Sequence, residues 1–202
     1  MTSKLAKTLI NSFKKNSKRR LLTFKTRFFY HRYSYSEIFD YAKKFITLLK
    51  KYNLKKGDKI LISSYNCPQY IYSFVGSLFY GTIMVPLDFH NSRQFIKKII
   101  KETDAKLVIS SEFKVLDLED IEVLPVEGLD DMLKDLKPSA PYFDIKDDDL
   151  LQILYTSGTT SQPKGVLLTH ENIYSNMIAV KKHIEIKPTF KFFFIILFIY
   201  IF

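Results

Sequence analysis

The chain has 202 residues, 47% of them hydrophobic and 26% charged, enough to bury a core of one domain or a little more and too apolar for a disordered chain. Its net charge of +10 does not mark a nucleic-acid-binding face: ten of the 31 basic residues precede Glu37, the first acid, which leaves 21 basic against 21 acidic residues after it. One cysteine, Cys67, excludes an internal disulfide, and with no Asn-x-Ser/Thr sequon and no hydrophobic signal peptide the expected setting is the reducing cytoplasm, an organelle or a membrane surface being the alternative.

Residues 1–33 form a basic leader. Leu5, Leu9 and Phe13 recur at a spacing of four among Lys4, Lys7, Lys14 and Lys15, the pattern of a basic amphipathic helix. Two placements suit it. The simpler is a surface helix capping the folded body; the other is peripheral contact with an anionic membrane. A transit peptide is disfavoured because Lys outnumbers Arg in this segment.

The next element is a helix over residues 35–52, with Ile38, Tyr41, Phe45, Leu48 and Tyr52 on one stripe and Ser34 with Glu37 as a capping box. Asn53 and Gly57 end it. Lys59 to Ser63 reads as a short strand buried on both faces. Pro68 opens an apolar helix that Gly81 stops near Tyr80; Cys67, just before it and with no His nearby to activate it, reads as a packing residue rather than a nucleophile. A strand over residues 82–87, a helix over 92–101 with Phe95, Ile96, Ile99 and Ile100 inward, and a strand over 106–110 follow. The alternation predicts an α/β fold, a mostly parallel sheet with right-handed crossover helices. Beyond Glu112 the pattern loosens to a strand at 121–126, a helix at 129–136, Pro138, Pro141, and the run Asp147-Asp148-Asp149. Three adjacent carboxylates cannot all face one ion, so that run is expected to be a solvated turn.

Residues 150–155 and 165–169 read as strands joined by a loop of unusual composition. Five of the six residues 156–161 carry hydroxyls, the sixth is Gly158, and Lys164 follows closely. Thr156, Ser157, Gly158, Thr159, Thr160 and Lys164 are the candidate polyphosphate-binding residues: inward backbone N–H groups, hydroxyls and one ammonium give a polyphosphate many donors at close range. The loop is not a Walker A motif, since Pro163 stands five residues after Gly158 and Gly165 follows Lys164. Ser157 lacks the Gly-x-Ser-x-Gly elbow of a hydrolase.

The run Tyr155-Thr-Ser-Gly-Thr-Thr-Ser-Gln-Pro-Lys-Gly-Val166 resembles the signature loop of the adenylate-forming ligase superfamily, which includes the AMP-forming acyl-CoA synthetases, firefly luciferases and nonribosomal peptide adenylation domains. Tyr33 to Ile38, Gly57-Asp58-Lys59-Ile60, Asn66-Cys-Pro68, Gly81 to Leu87, Asp148-Asp149-Leu150 and Leu168-Thr169-His170-Glu-Asn172 are similar to flanking motifs of the same family. The resemblance implies an ATP-dependent carboxylic acid–coenzyme A ligase, with a fatty acid as the substrate class and Mg²⁺ beside the pyrophosphate. On this pattern residues 34–188 are part of an AMP-binding domain whose loop holds the β- and γ-phosphates of ATP, with Thr156, Ser157, Thr159 and Thr160 as donors, Gly158 permitting close approach and Lys164 offsetting charge on the pyrophosphate. The implied partners are a small carboxylic acid and a nucleotide, with no nucleic acid.

Two departures stand out. Ser161 occupies a position where the family has a second glycine; if it requires a positive φ, the strain is roughly 1–2 kcal/mol. Residues 189–202 form an apolar tail unlike the family's continuation, expected to be a truncated or frameshifted end. Its uncharged part, residues 192–202, is shorter than the roughly 20 residues that cross a bilayer. On that expectation the chain is an N-terminal fragment that forms no acyl-adenylate alone, and its rival is a non-catalytic remnant of the fold that binds nucleotide or interacts with a membrane or a partner.

Overall fold

The computed structural model describes residues 2–111, 118, 121–141, 144–156 and 164–183; the tail at 189–202 lies outside them. The element order starts with α1 (Lys4–Lys15), β1 (Arg20–Lys25), β2 (Tyr30–Ser34), α2 (Tyr35–Lys51), β3 (Lys59–Ser64), α3 (Pro68–Tyr80), β4 (Ile83–Asp88) and α4 (Arg93–Thr103). It continues with β5 (Ala105–Ser110), β6 (Val123–Pro125), α5 (Leu129–Lys134), β7 (Leu150–Thr156), β8 (Lys164–Thr169) and α6 (His170–His183).

Six strands form one sheet in the order β6-β5-β3-β4-β7-β8. All neighbours are parallel except β7 and β8, which form an antiparallel hairpin. The continuous apolar runs of β3, β4 and β5 follow from burial on both faces. Ile60 and Ile62 join the large core with Met84, Leu107 and Ile109, beneath α1, α2, α3, α5 and α6. Leu61 points the other way, into a smaller core with Val85, Val108, Ile96 and Ile99, where α4 packs. β3 to β4 crosses by α3 on one face, and β4 to β5 returns past β3 by α4 on the other. The chain thus diverges at the carboxyl ends of β3 and β4, the kind of switch point where open α/β sheets place ligands.

The capping box at α2 forms as the sequence predicts: Ser34 Oγ accepts from the Glu37 amide and Glu37 Oε2 accepts from the Ser34 amide. That pairing holds the Glu37 carboxyl below its usual range. α3 starts at Pro68 and ends at Gly81 in the left-handed region, φ 86°. Cys67 is buried at the helix start, and burial pushes its thiol up to about 11, so it stays protonated and packs. Gly76 lets α2 and α3 meet backbone to backbone: a Cβ there would sit 2.7 Å from the Ala42 carbonyl oxygen and 2.9 Å from Phe45 Cδ1. α5 is held to α3 by Asp130, which accepts from Tyr72 Oη at 2.8 Å and Gln69 Nε2 at 2.9 Å.

The leader helix takes the capping placement. Leu5, Ala6 and Phe13 of α1 are buried in the large core, and Phe13 stacks on Phe39 with ring centroids 5.2 Å apart. Its apolar stripe therefore faces protein. Not foreseen from the sequence is the hairpin of β1 and β2, which pairs Leu22 with Tyr33 and Phe24 with His31. Only one side of it touches the body, through half-buried Phe24 and Tyr33.

Candidate active site

The candidate phosphate loop leaves the sheet from the carboxyl end of β7, the same edge as the ends of β3, β4 and β5. Thr156 ends β7 and Lys164 begins β8, and the two are cross-strand partners that close the ladder at the loop's mouth. Lys164 is exposed there. Ser157, Gly158, Thr159, Thr160 and Ser161 lie outside the described residues.

The hairpin below the loop is tightly built. Gly165 faces Tyr155, and a Cβ on it would meet Ile153 Cγ2 at 3.2 Å and Tyr155 Cζ at 3.3 Å, so the bare backbone makes room for the ring. The Tyr155 hydroxyl donates to Glu102 Oε1 at 3.0 Å and ties β7 to the last turn of α4. Burial, and then that bond, push the phenol up to about 12. Residues 53 apart in sequence meet here with no local signal to announce them.

At its other end the hairpin rests on the acidic turn. This turn is less solvated than expected. Asp149 Oδ2 lies 2.6 Å from Lys56 Nζ and accepts from the Lys146 amide at 2.7 Å. Burial opposes its charge, but Lys56 and the Lys146 amide prevail and hold the carboxyl below its usual range. The main-chain carbonyls of Asp149 and Asp147 accept from the His170 and Glu171 amides, the first of α6, at 3.1 and 2.8 Å. Thr169 and Asn172 cap the same helix reciprocally. Turn, hairpin and α6 thus share one hydrogen-bonded base.

α1 is clamped to that base. Lys4 pairs with Glu171 at 3.2 Å and with Asp147 at 3.5 Å, and the Lys4 amide donates to Asp147 Oδ1 at 2.7 Å. Ser3 Oγ lies 3.1 Å from Nδ1 of the fully buried His170. Burial holds this imidazole down at about 4 against the pull of Asp149 and Asp147, so it is neutral at pH 7. The sequence marks His170 only as part of a motif beside the loop; its burial is a product of packing.

Comparison with known proteins places this geometry. Crotonobetaine/carnitine–CoA ligase of Escherichia fergusonii is 30% identical over 163 residues, covering 71% of this chain and 32% of the relative. The protein of the same description from Escherichia coli strain CFT073 is 31% identical over the same shares. The chain thus spans about a third of the length of the curated relatives it matches. Among solved structures, the fatty acyl-adenylate ligase of L. pneumophila in complex with acyl adenylate and pyrophosphate aligns with TM-score 0.75 and 21% identity over 91% of this chain and 33% of that one. The N-terminal subdomain of Klebsiella oxytoca NpsA with anthranilyl-AMSN aligns with TM-score 0.70 and 23% identity over 84% and 42%. These two likenesses show a shared fold. The family model for AMP-binding enzymes matches residues 11–201, and the chain belongs to that family.

Proposed function

We infer that this chain is the phosphate-holding N-terminal part of an ATP-dependent carboxylic acid–coenzyme A ligase, and that a fatty acid is its substrate class. The observation that carries this reading is the β7–β8 hairpin. It brings Thr156 and Lys164 together at the mouth of a hydroxyl-rich loop, on the edge where open α/β sheets place their ligands. In the reaction an acid carboxylate attacks the α-phosphate of ATP, an acyl–phosphate bond forms, and pyrophosphate leaves. The chain's own work is electrostatic. Lys164 and the loop hydroxyls offset charge on the departing pyrophosphate. The curated relatives, named as acid–CoA ligases, support transfer of the acyl group to coenzyme A.

Among the described residues no three His, Cys, Asp or Glu groups converge where a metal could sit. Mg²⁺ needs only one or two protein oxygens beside substrate phosphates, and there it would share with Lys164 the neutralising of the departing pyrophosphate. The chain spans about a third of its relatives' length, and the reading assigns to it the nucleotide phosphates and to the whole ligase the formation of the acyl-adenylate.

Thermal melting in the presence of nucleotides tests the reading. ATP at a hundred times its dissociation constant should stabilise the chain by about 2.7 kcal/mol, raising the midpoint by roughly 5–10 °C. AMP lacks the β- and γ-phosphates and should raise it by less than half as much. Equal shifts with ATP and AMP, or none with ATP, would count against a polyphosphate site.

A further inference from the structure

The exposed tip of the β1–β2 hairpin carries a patch that the ligase reading leaves without a use. Phe28, Phe29 and Tyr30 are consecutive and 75%, 68% and 62% exposed. Basic residues surround them: Lys25 Nζ lies 5.6 Å from the Tyr30 ring centroid, Arg27 Cζ lies 5.2 Å from that of Phe28, and Arg32 follows on β2. No acidic residue occurs before Glu37.

We propose that this hairpin tip is a contact site for an anionic lipid surface, with the aromatic rings inserted at headgroup depth and the flanking Lys and Arg on lipid phosphates. Three features point to that partner. Aromatic side chains suit a membrane interface, Phe28 and Phe29 as apolar rings that insert and Tyr30 as an amphipathic ring whose hydroxyl stays wet. The charge is of one sign and matches an anionic leaflet. The tip is also preformed, so little order has to be imposed when it binds. The Thr26 amide donates to the Phe29 carbonyl at 2.9 Å, the Phe29 amide donates to Thr26 Oγ1 at 3.3 Å, and the hairpin base is fastened by Tyr35 and Ser36 amides donating to Arg19 and Ser17 carbonyls. The stripe of α1, the leader's other apolar face, is occupied by the core and unavailable. Membrane contact by the leader thus belongs to the hairpin and not to the helix.

Co-sedimentation of the whole chain with phosphatidylcholine vesicles, with and without phosphatidylserine, tests the proposal. The parent should partition onto the phosphatidylserine vesicles at least about tenfold better. The double substitution Phe28→Ser/Phe29→Ser should lose at least about tenfold of that binding. Lys25→Ser and Arg27→Ser should each lose about fivefold, and added salt should weaken the parent in the same way. All these side chains are exposed, so an unchanged melting midpoint will certify the fold. The chain has no tryptophan, so Phe28→Trp supplies a single reporter whose emission should shift to the blue with phosphatidylserine vesicles. Equal sedimentation of the parent and the double variant would assign vesicle binding to another segment and overturn the proposal. So would unshifted emission, or a single-stranded oligoribonucleotide binding with the same dependence on Phe28 and Phe29 while vesicles do not.

Discussion

Replacing Gly76 with leucine should lower the melting midpoint by roughly 10 °C or more. α2 and α3 approach so closely at this point that even a Cβ would lie 2.7 Å from the Ala42 carbonyl oxygen, and real Cβ atoms do not sit that near a neighbour. That neighbour is backbone inside α2, so relief requires the helix to move. Phe45, fully buried on the same helix, would move with it. Overpacking of this kind costs about 1–3 kcal/mol and more for a large side chain, while removing a helical glycine returns up to about 1 kcal/mol. Sterics outweigh propensity. At 2–4 °C per kcal/mol for a chain of this size, Gly76→Ala should lose a few degrees and Gly76→Leu should approach the whole stability of a marginal domain. A Gly76→Ala variant that melts at or above the parent would show that helix propensity wins and that the helices are not in backbone contact.

The second large effect is on pH. His170 is neutral in the folded chain, with its imidazole held at about 4 by burial against an ordinary value of 6.5. As pH falls from about 6.5 to about 4 the unfolded chain takes up a proton that the folded chain refuses, so stability declines across that window. The full difference is about 3 kcal/mol at 1.36 kcal/mol per unit, and it is present only above pH 6.5. The charged groups facing the ring, Asp149, Asp147 and Lys56, leave the direction unchanged. Asp149, held below its usual range, adds a loss of the same sign at lower pH. Denaturant melts from pH 7 to 4.5 should show one proton's slope, absent in His170→Gln. If that variant does not fold, imidazole resonances of the parent give the same information: those of His170 should be constant down to about pH 5. A ring that titrates near 6.5 in the folded chain would contradict the burial argument.

The sheet was largely legible because its strands announce themselves. β3, β4 and β5 are uninterrupted apolar runs, and α2 and α3 carry local punctuation in Ser34–Glu37, Pro68 and Gly81. The β1–β2 hairpin was not legible. Its strands are rich in Lys, Arg and His, and the inward face offers only the half-buried Leu22, Phe24 and Tyr33, so the alternation is too short to stand out. α6 was equally hidden, since only His170 and Ile173 along its length are buried. The acidic run is the turn that its composition predicts. Its importance lies in two main-chain carbonyls that receive α6, and no side-chain pattern encodes those. In the candidate site, composition exposed the hydroxyls and Lys164, whereas the pairings that hold the hairpin, Tyr155 with Glu102 and Asp149 with Lys56, link residues far apart in sequence and appear only with the fold.

The most direct measurement of the central claim is a calorimetric titration of pyrophosphate into the 202-residue chain and into its Lys164→Ala variant. Lys164 is exposed at the end of a strand whose pairing uses only its backbone, so the substitution removes an ammonium without disturbing the sheet. Loss of one charge-assisted contact should weaken pyrophosphate binding about tenfold or more. Equal affinities in parent and variant, or no binding by the parent, would contradict the assignment of the β7–β8 hairpin as the holder of nucleotide phosphates.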